Sequence, residues 1–238
     1  MKKIKKFLLT IAMTMIFSIS AFAASGFEFL LNVPFGINWS IPTGELKGKG
    51  GAMGIDAGVD AQIGYMISVK DGFGISVLGE LGYSWDAYSY TAGTSVSDGS
   101  GSSAGIGVKA TERFVSFSFH SFKLGLLPKF NIGFGGRHGL AVGIGGGVKI
   151  PIAGQITLPG DNESLKATRQ GIAEFLSPSV IGYIKASIDY YLFFTDNIAM
   201  EFGLYLGGDF APKQKETKIG LDAFDIGLQL GFRFGPKA

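Results

Sequence analysis

The chain contains no cysteine and only two histidines in its 238 residues. Without cysteine, neither a disulfide framework nor a lipoprotein acylation site can form. His138 lies in a glycine-rich stretch, while His120 stands beside Ser121 and near Glu112, with nothing in the sequence that would orient a base partner. The sequence therefore predicts no enzyme, and it offers no metal or cofactor site.

Long apolar runs are also absent after residue 23. The single run, residues 7–20, follows four lysines and ends in the small-residue site Ala21, Phe22 and Ala23, which is typical of a secretory signal peptide. It is too short for a transmembrane anchor. We therefore expect residues 1–23 to be cleaved and residues 24–238 to form the mature domain. Such a chain can cross a membrane only as a closed β-barrel.

An excess of positive charge is missing from the mature chain. Because four of the 21 basic residues belong to the predicted signal, 17 remain against 19 acidic residues. This balance gives no reason to expect nucleic acid as a partner. The glycine-rich stretches 44–50 and 143–147 lack the spacing and the following helix of a phosphate loop or dinucleotide fingerprint, so no cofactor is expected.

Eight stretches alternate large apolar residues with small or charged ones. In the last, every second residue from Phe224 to Phe234 is apolar, and Asp225 and Arg233 lie among the others. A period of two places the two sets on opposite faces of a strand. The predicted strands cover about residues 27–39, 55–67, 73–85, 115–134, 140–152, 180–192, 198–206 and 224–234.

The connections between these strands alternate between long and short. Residues 70–72, 135–139 and 195–197 are short turns, the first with an Asp-Gly pair suited to a tight hairpin. Outer-membrane barrels show this asymmetry, with long loops at the cell surface and short turns in the periplasm. An even number of strands places both chain ends on the periplasmic side.

Two stretches depart from the regular pattern. The apolar phase of the fourth strand shifts at His120 and Ser121, which predicts a bulge or a strand that continues beyond the lipid. In the third long connection, apolar residues have loosely helical spacing after the candidate caps Asp161 and Ser164. A short helix within residues 163–176, over the barrel mouth, is therefore an alternative to an irregular loop.

The apolar face is predicted to point outward. The interior of an eight-stranded barrel is narrow, so the Gly, Ser and Asp set fits inside it, whereas the bulky apolar set does not. A soluble barrel would carry charges on its outer face, yet the strand charges all fall in the glycine-rich set. The predicted fold is an all-β, eight-stranded, antiparallel up-and-down transmembrane β-barrel with lipid around it.

Charged residues on the inner face should pair with one another, because a buried charge needs a partner. The near balance of acids and bases favours a salt-bridged filling of the lumen over a polar path for a small solute. The candidate network consists of Asp56, Asp60, Glu80, Lys149, Lys185, Asp189, Glu201 and Arg233, with Lys123, Lys129 and Asp225 on the same face.

Eight alternating segments, four long loops, three tight turns and an aromatic-rich last strand resemble the small eight-stranded outer-membrane β-barrel proteins of diderm bacteria, the OmpA-type and OmpW-type group. The resemblance covers residues 24–238. It implies an outer-membrane location and recognition by the barrel-assembly machinery. The residues that match a C-terminal assembly signal are Gly227, Leu228, Leu230, Phe232 and Phe234, although four further residues follow Phe234.

The resemblance leaves two roles open. The first is a structural or surface-interaction role, in which the extracellular loops contact host molecules or other envelope components. The second is a narrow porin-like channel for small or hydrophobic solutes, as in the OmpW-type proteins. A monomer is expected in either case.

Overall fold

The computed structural model describes residues 25–97, 109–158 and 164–238. The predicted signal peptide therefore lies outside the described residues. The described elements are β1 Gly26–Thr43, β2 Gly51–Lys70, β3 Phe73–Ser97, β4 Lys109–Leu126, β5 Lys129–Gly133, β6 His138–Thr157, β7 Ser164–Thr168, α1 Arg169–Phe175, β8 Leu176–Ser177, β9 Ile181–Phe193, β10 Ile198–Phe210, β11 Lys213–Gln214 and β12 Gly220–Phe234.

The long strands form a closed antiparallel ring. Neighbours along the chain pair with each other, and β12 pairs with β1 from Phe29 opposite Phe234 to Thr43 opposite Gly220. β4 and β5 both pair with β3 and β6, so they act as one interrupted strand. The ring thus has eight members, and the predicted fold class and the eight predicted strands are confirmed. Closure leaves no edge strand exposed in the ring.

The turns and loops occupy opposite ends of the ring. The predicted short turns are confirmed, and Gly72, Gly135 and Gly136 adopt positive φ there. We name this side the turn end and the opposite side the loop end. Glycine suits these positions because it has no Cβ to clash in the left-handed region.

The outer surface of the ring is apolar. On β1, Val33, Phe35 and Trp39 are each more than half exposed, while Asn32 and Asn38 on the opposite face are buried inside the barrel. The other ring strands alternate in the same way, with Leu228 of β12 59% exposed. Such a broad apolar band suits contact with lipid hydrocarbon, so the ring is a transmembrane barrel with a polar lumen.

The loop end of the wall is completed by short elements. β9 begins at Ile181, so it does not reach the last part of β6; there β7 pairs with β6 instead, over residues 153–157. α1 follows β7, and β8 then pairs with β11 through two residue pairs. Among the described residues, no helix is long and apolar enough to span a membrane. β7, α1, β8 and β11 together form a short wall at the loop end, next to the ring.

The structure has a short helix within residues 163–176, but its N-cap is neither of the two predicted residues. α1 begins at Arg169, and the Thr168 side chain accepts a hydrogen bond from the Gly171 N–H at 3.5 Å. Thr168 is therefore the N-cap, whereas Ser164 lies in β7 and Asp161 lies outside the described residues. A threonine oxygen can satisfy one of the free N–H groups of a first turn.

The predicted irregularity at His120 and Ser121 is confirmed. Their partners on β6 are Ala153 and Pro151, so Ile152 is an extra residue and forms a bulge on that strand. The same face of β4 points inward throughout, with Phe119 above Ser121 and Lys123. The apolar phase shifts because β4 leaves the lipid here and its apolar residues turn from the outside to the inside.

Candidate functional site

The lumen of the ring holds three clusters of ion pairs, described here from the turn end upward. In the first, Arg233 and Lys129 are fully buried. Arg233 Nη2 lies 2.8 Å from Glu28 Oε1, and Lys129 Nζ lies 2.9 Å from Asp189 Oδ2 and 3.0 Å from Glu201 Oε1. This turn-end cluster joins strands from opposite sides of the barrel.

The central cluster is built on two lysines and two carboxylates. Lys123 Nζ lies 2.5 Å from Asp60 Oδ2 and 3.0 Å from Glu80 Oε1. Lys185 Nζ lies 3.6 Å and 3.7 Å from the same two side chains, and the Tyr183 hydroxyl donates a hydrogen bond to Glu80 at 2.8 Å. Both carboxylates are therefore shared between two cations.

The upper cluster centres on Lys149. Its Nζ lies 2.8 Å from Asp86 Oδ1 and 2.6 Å from Asp209 Oδ2. Beside it, the Tyr205 hydroxyl donates a hydrogen bond to Asp56. Asp225 also borders this part of the lumen. Removing the charge of Lys149 would leave two buried carboxylates without this cation.

Together the three clusters fill the ring. The cavity between the central and upper clusters is about 40 Å³, which is room for a few water molecules. Neutral donors supplement the bases: Ser76 donates to Glu28 at 2.5 Å, and Gln229 donates to Asp189 at 2.5 Å. The ion pairs cross the lumen, because they join strands that are not neighbours in the ring, as Lys129 of β5 does with Glu201 of β10.

The structure brings all eight predicted network residues, and the three others on their face, into the lumen. The predicted near balance of acids and bases in the lumen is wrong. Glu28, Asp86 and Asp209 also face inward, so the lumen holds nine carboxylates and five bases. Glu28 and Asp86 lie on the polar face of predicted strands, so strict alternation could have found them. Asp209 lies beyond the predicted end of its strand at residue 206, but β10 extends to Phe210.

Above the upper cluster the interior becomes apolar. Tyr88, Phe119, Ile172 and Leu221 belong to one buried hydrophobic cluster. They border a cavity of about 710 Å³, which we name the upper chamber. Its walls come from β3, β4, β6 and β7, with α1 and the residues around β8 and β11 on the remaining side. The sequence pattern did not predict this chamber. The shift in the apolar phase of β4 could have indicated it, because it marks where apolar side chains turn inward.

The proposed assembly-signal residues lie on the closing strand β12. Leu228, Leu230 and Phe232 point outward, each at least 44% exposed, whereas Phe234 is half-buried. Gly227 packs inside, where a Cβ would come within 2.5 Å of the Phe35 carbonyl oxygen and the Tyr205 ring. Their role in assembly stays a prediction.

The histidine and serine considered for hydrolysis do not meet. Ser121 is fully buried in the lumen, whereas His120 lies on the outer face, with its Nδ1 2.5 Å from the Tyr83 hydroxyl. Adjacent residues of a strand point to opposite faces, so this pair cannot form a nucleophile and base. The side chain of Glu112 lies outside the described part of the chain.

No family model and no curated protein matches the chain. Among solved structures, Neisserial surface protein A is 8% identical, with 89% of this chain and 98% of that chain covered and a TM-score of 0.42. The outer membrane protease OmpT from Escherichia coli is 7% identical (88% and 96% covered, TM-score 0.44). The outer membrane protein OprG from Pseudomonas aeruginosa is 9% identical (89% and 97%, TM-score 0.38).

The ring, its apolar outer band and its charged lumen give this chain the fold of the small eight-stranded outer-membrane β-barrels.

Proposed function

We propose that this protein is exported with residues 1–23 as a cleaved signal peptide and acts in the outer membrane as a closed barrel. Its role is a surface interaction made by the loop end. The observation that carries the proposal is the ion-paired lumen, in which each of the five bases lies within salt-bridge distance of a carboxylate. A lumen filled in this way supports a scaffold better than a pore.

The loop end has the dimensions for such a role. β3 and β4 remain paired as far as Ser97 and Lys109, well beyond Tyr83, whose ring is exposed on the outer face of β3. The stretch between them is rich in Ser and Gly. The paired ends of β3 and β4 thus extend beyond the lipid band, where a host molecule or another envelope component could reach them.

Planar-bilayer recording separates this proposal from the narrow channel. The refolded barrel should give no reproducible openings at voltages that the bilayer alone withstands. A variant with Lys149, Asp86 and Asp209 all changed to Ala is the matched comparison, since it empties the upper cluster. Discrete, concentration-dependent openings by the unmodified protein would overturn the closed-barrel proposal.

The surface role has its own test. Replacing residues 98–108 by a short Gly-Ser linker should leave the heat-dependent gel shift of the folded barrel intact. Adhesion of cells that carry the barrel to immobilised extracellular-matrix proteins should then fall at least fivefold. Shortening the turn at residues 194–197 is the control, because it alters the opposite end. Unchanged adhesion in the loop variant would contradict the surface role.

A further inference from the structure

The upper chamber is closed below. The Tyr88 hydroxyl donates a hydrogen bond to Asp209 at 2.7 Å, and the ring of the same side chain packs against Phe119 with centroids 6.2 Å apart. Tyr88 therefore turns its polar end toward the ion pairs of Lys149 and its ring toward the chamber. An occupant would meet an apolar floor, with buried charges directly beneath it.

Helix α1 closes one side of the chamber. Ile172 of α1 is only 3% exposed and packs with the hydrophobic cluster, although its helix lies at the surface. Arg169 holds this helix by donating to the Ser179 carbonyl oxygen at 2.6 Å, and Lys215 donates to the Ala173 carbonyl oxygen at 3.1 Å. Contacts from two other segments thus keep this two-turn helix in place beside the cavity.

The size and lining of the chamber suit a small molecule. About 710 Å³ lies within the range of ligand pockets, and Tyr90, Phe117, Ala167 and Leu221 present mainly carbon to it. Apolar cavities bind apolar molecules readily, because water gains few hydrogen bonds there.

We propose that the upper chamber is a binding site for a small, largely apolar molecule, of the size of one or two fused rings or a medium-length hydrocarbon chain. The molecule enters from the loop end and is held there, because the ion-paired lumen gives it no onward path. This site goes beyond the surface role: loop adhesion can fail while the chamber still binds, and the reverse also holds.

Cysteine protection tests the site directly, since the natural chain has no cysteine. Ala167→Cys places a thiol in the chamber lining, and Lys47→Cys places one on an exposed loop at the same end of the barrel. The barrels are held in lipid nanodiscs without detergent, which would compete for an apolar site. Each is treated with a charged methanethiosulfonate reagent, with and without the apolar dye N-phenyl-1-naphthylamine.

The dye should lower the modification rate of the Ala167→Cys barrel at least fivefold. This protection should saturate as the dye concentration rises. The Lys47→Cys barrel should react within twofold of its original rate. If Ala167→Cys does not show the heat-dependent gel shift of a folded barrel, Ile156→Cys, on another wall of the chamber, replaces it. Equal rates with and without dye at the chamber position, or equal slowing at Lys47→Cys, would overturn the proposal.

Discussion

At the scale of single residues, the most consequential side chains are the buried bases. Lys129 is 0% exposed and lies between Asp189 and Glu201. Lys129→Met would keep much of the volume and leave two carboxylates without their cation. Because removing one partner of a buried pair is strongly destabilising, we expect the free energy of unfolding to fall by about 3–5 kcal/mol. Urea titration in lipid vesicles, followed by tryptophan fluorescence, measures this change.

Two variants sharpen this prediction. Lys237→Met removes a salt bridge whose partner, Asp196, is 96% exposed, and such surface pairs contribute about 0–1 kcal/mol. Lys129→Met combined with Glu201→Gln should recover part of the loss, since one of the two unpaired charges is gone. Equal losses in the free energy of unfolding for Lys129→Met and Lys237→Met would show that the buried ion pairs of Lys129 contribute no more to stability than the exposed pair.

At the scale of elements, the closing strand β12 must satisfy both the barrel and the machinery that assembles it. Phe232 faces outward, opposite Leu31 and Met200 on the two neighbouring strands, so it makes no lumen contact. If it belongs to an assembly signal, Phe232→Ala should lower the amount of barrel in the outer membrane about tenfold. Its yield on refolding from urea into vesicles should stay normal. Immunoblots of membrane fractions and gel shifts measure the two quantities.

Phe224→Ala is the matched control, because Phe224 is an outward-facing phenylalanine, 51% exposed, near the other end of the same strand. Its membrane level should stay within twofold of the unmodified protein. Losses of equal size for the two variants, or a parallel loss in refolding, would mean that Phe232 matters only for packing.

Elements also show how far alternation predicts this molecule. In the ring, lipid outside and ion pairs inside impose opposite demands on neighbouring residues, so the pattern predicted all eight strands. Beyond the lipid the outer face no longer has to be apolar. Phe117 and Phe119 therefore pack inside, and β10 continues to Phe210, past its predicted end at residue 206. α1 has seven residues and depends on tertiary contacts, which local sequence does not record.

At the scale of the whole molecule, the apolar band fixes how deeply the barrel sits in the membrane. Leu228 lies in the middle of β12, and Val69 lies at the turn end of β2 beside Lys70; their exposures, 59% and 56%, are nearly equal. Leu228→Arg should cost about 2–4 kcal/mol of folding free energy, and Val69→Arg about 0–1 kcal/mol, because the cost of arginine falls toward the interface. Urea titration in vesicles compares them, and similar losses would contradict this placement.

The short wall at the loop end has a consequence for how this protein can change. β7 pairs with the last residues of β6, α1 follows it, and β8 pairs with β11, so all three lie outside the pairing register that closes the ring. Insertions, deletions or an altered helix there would shift no strand of the membrane-embedded part by even one residue. Sequence variation can therefore reshape the upper chamber and its rim while the barrel beneath keeps its register and its ion pairs.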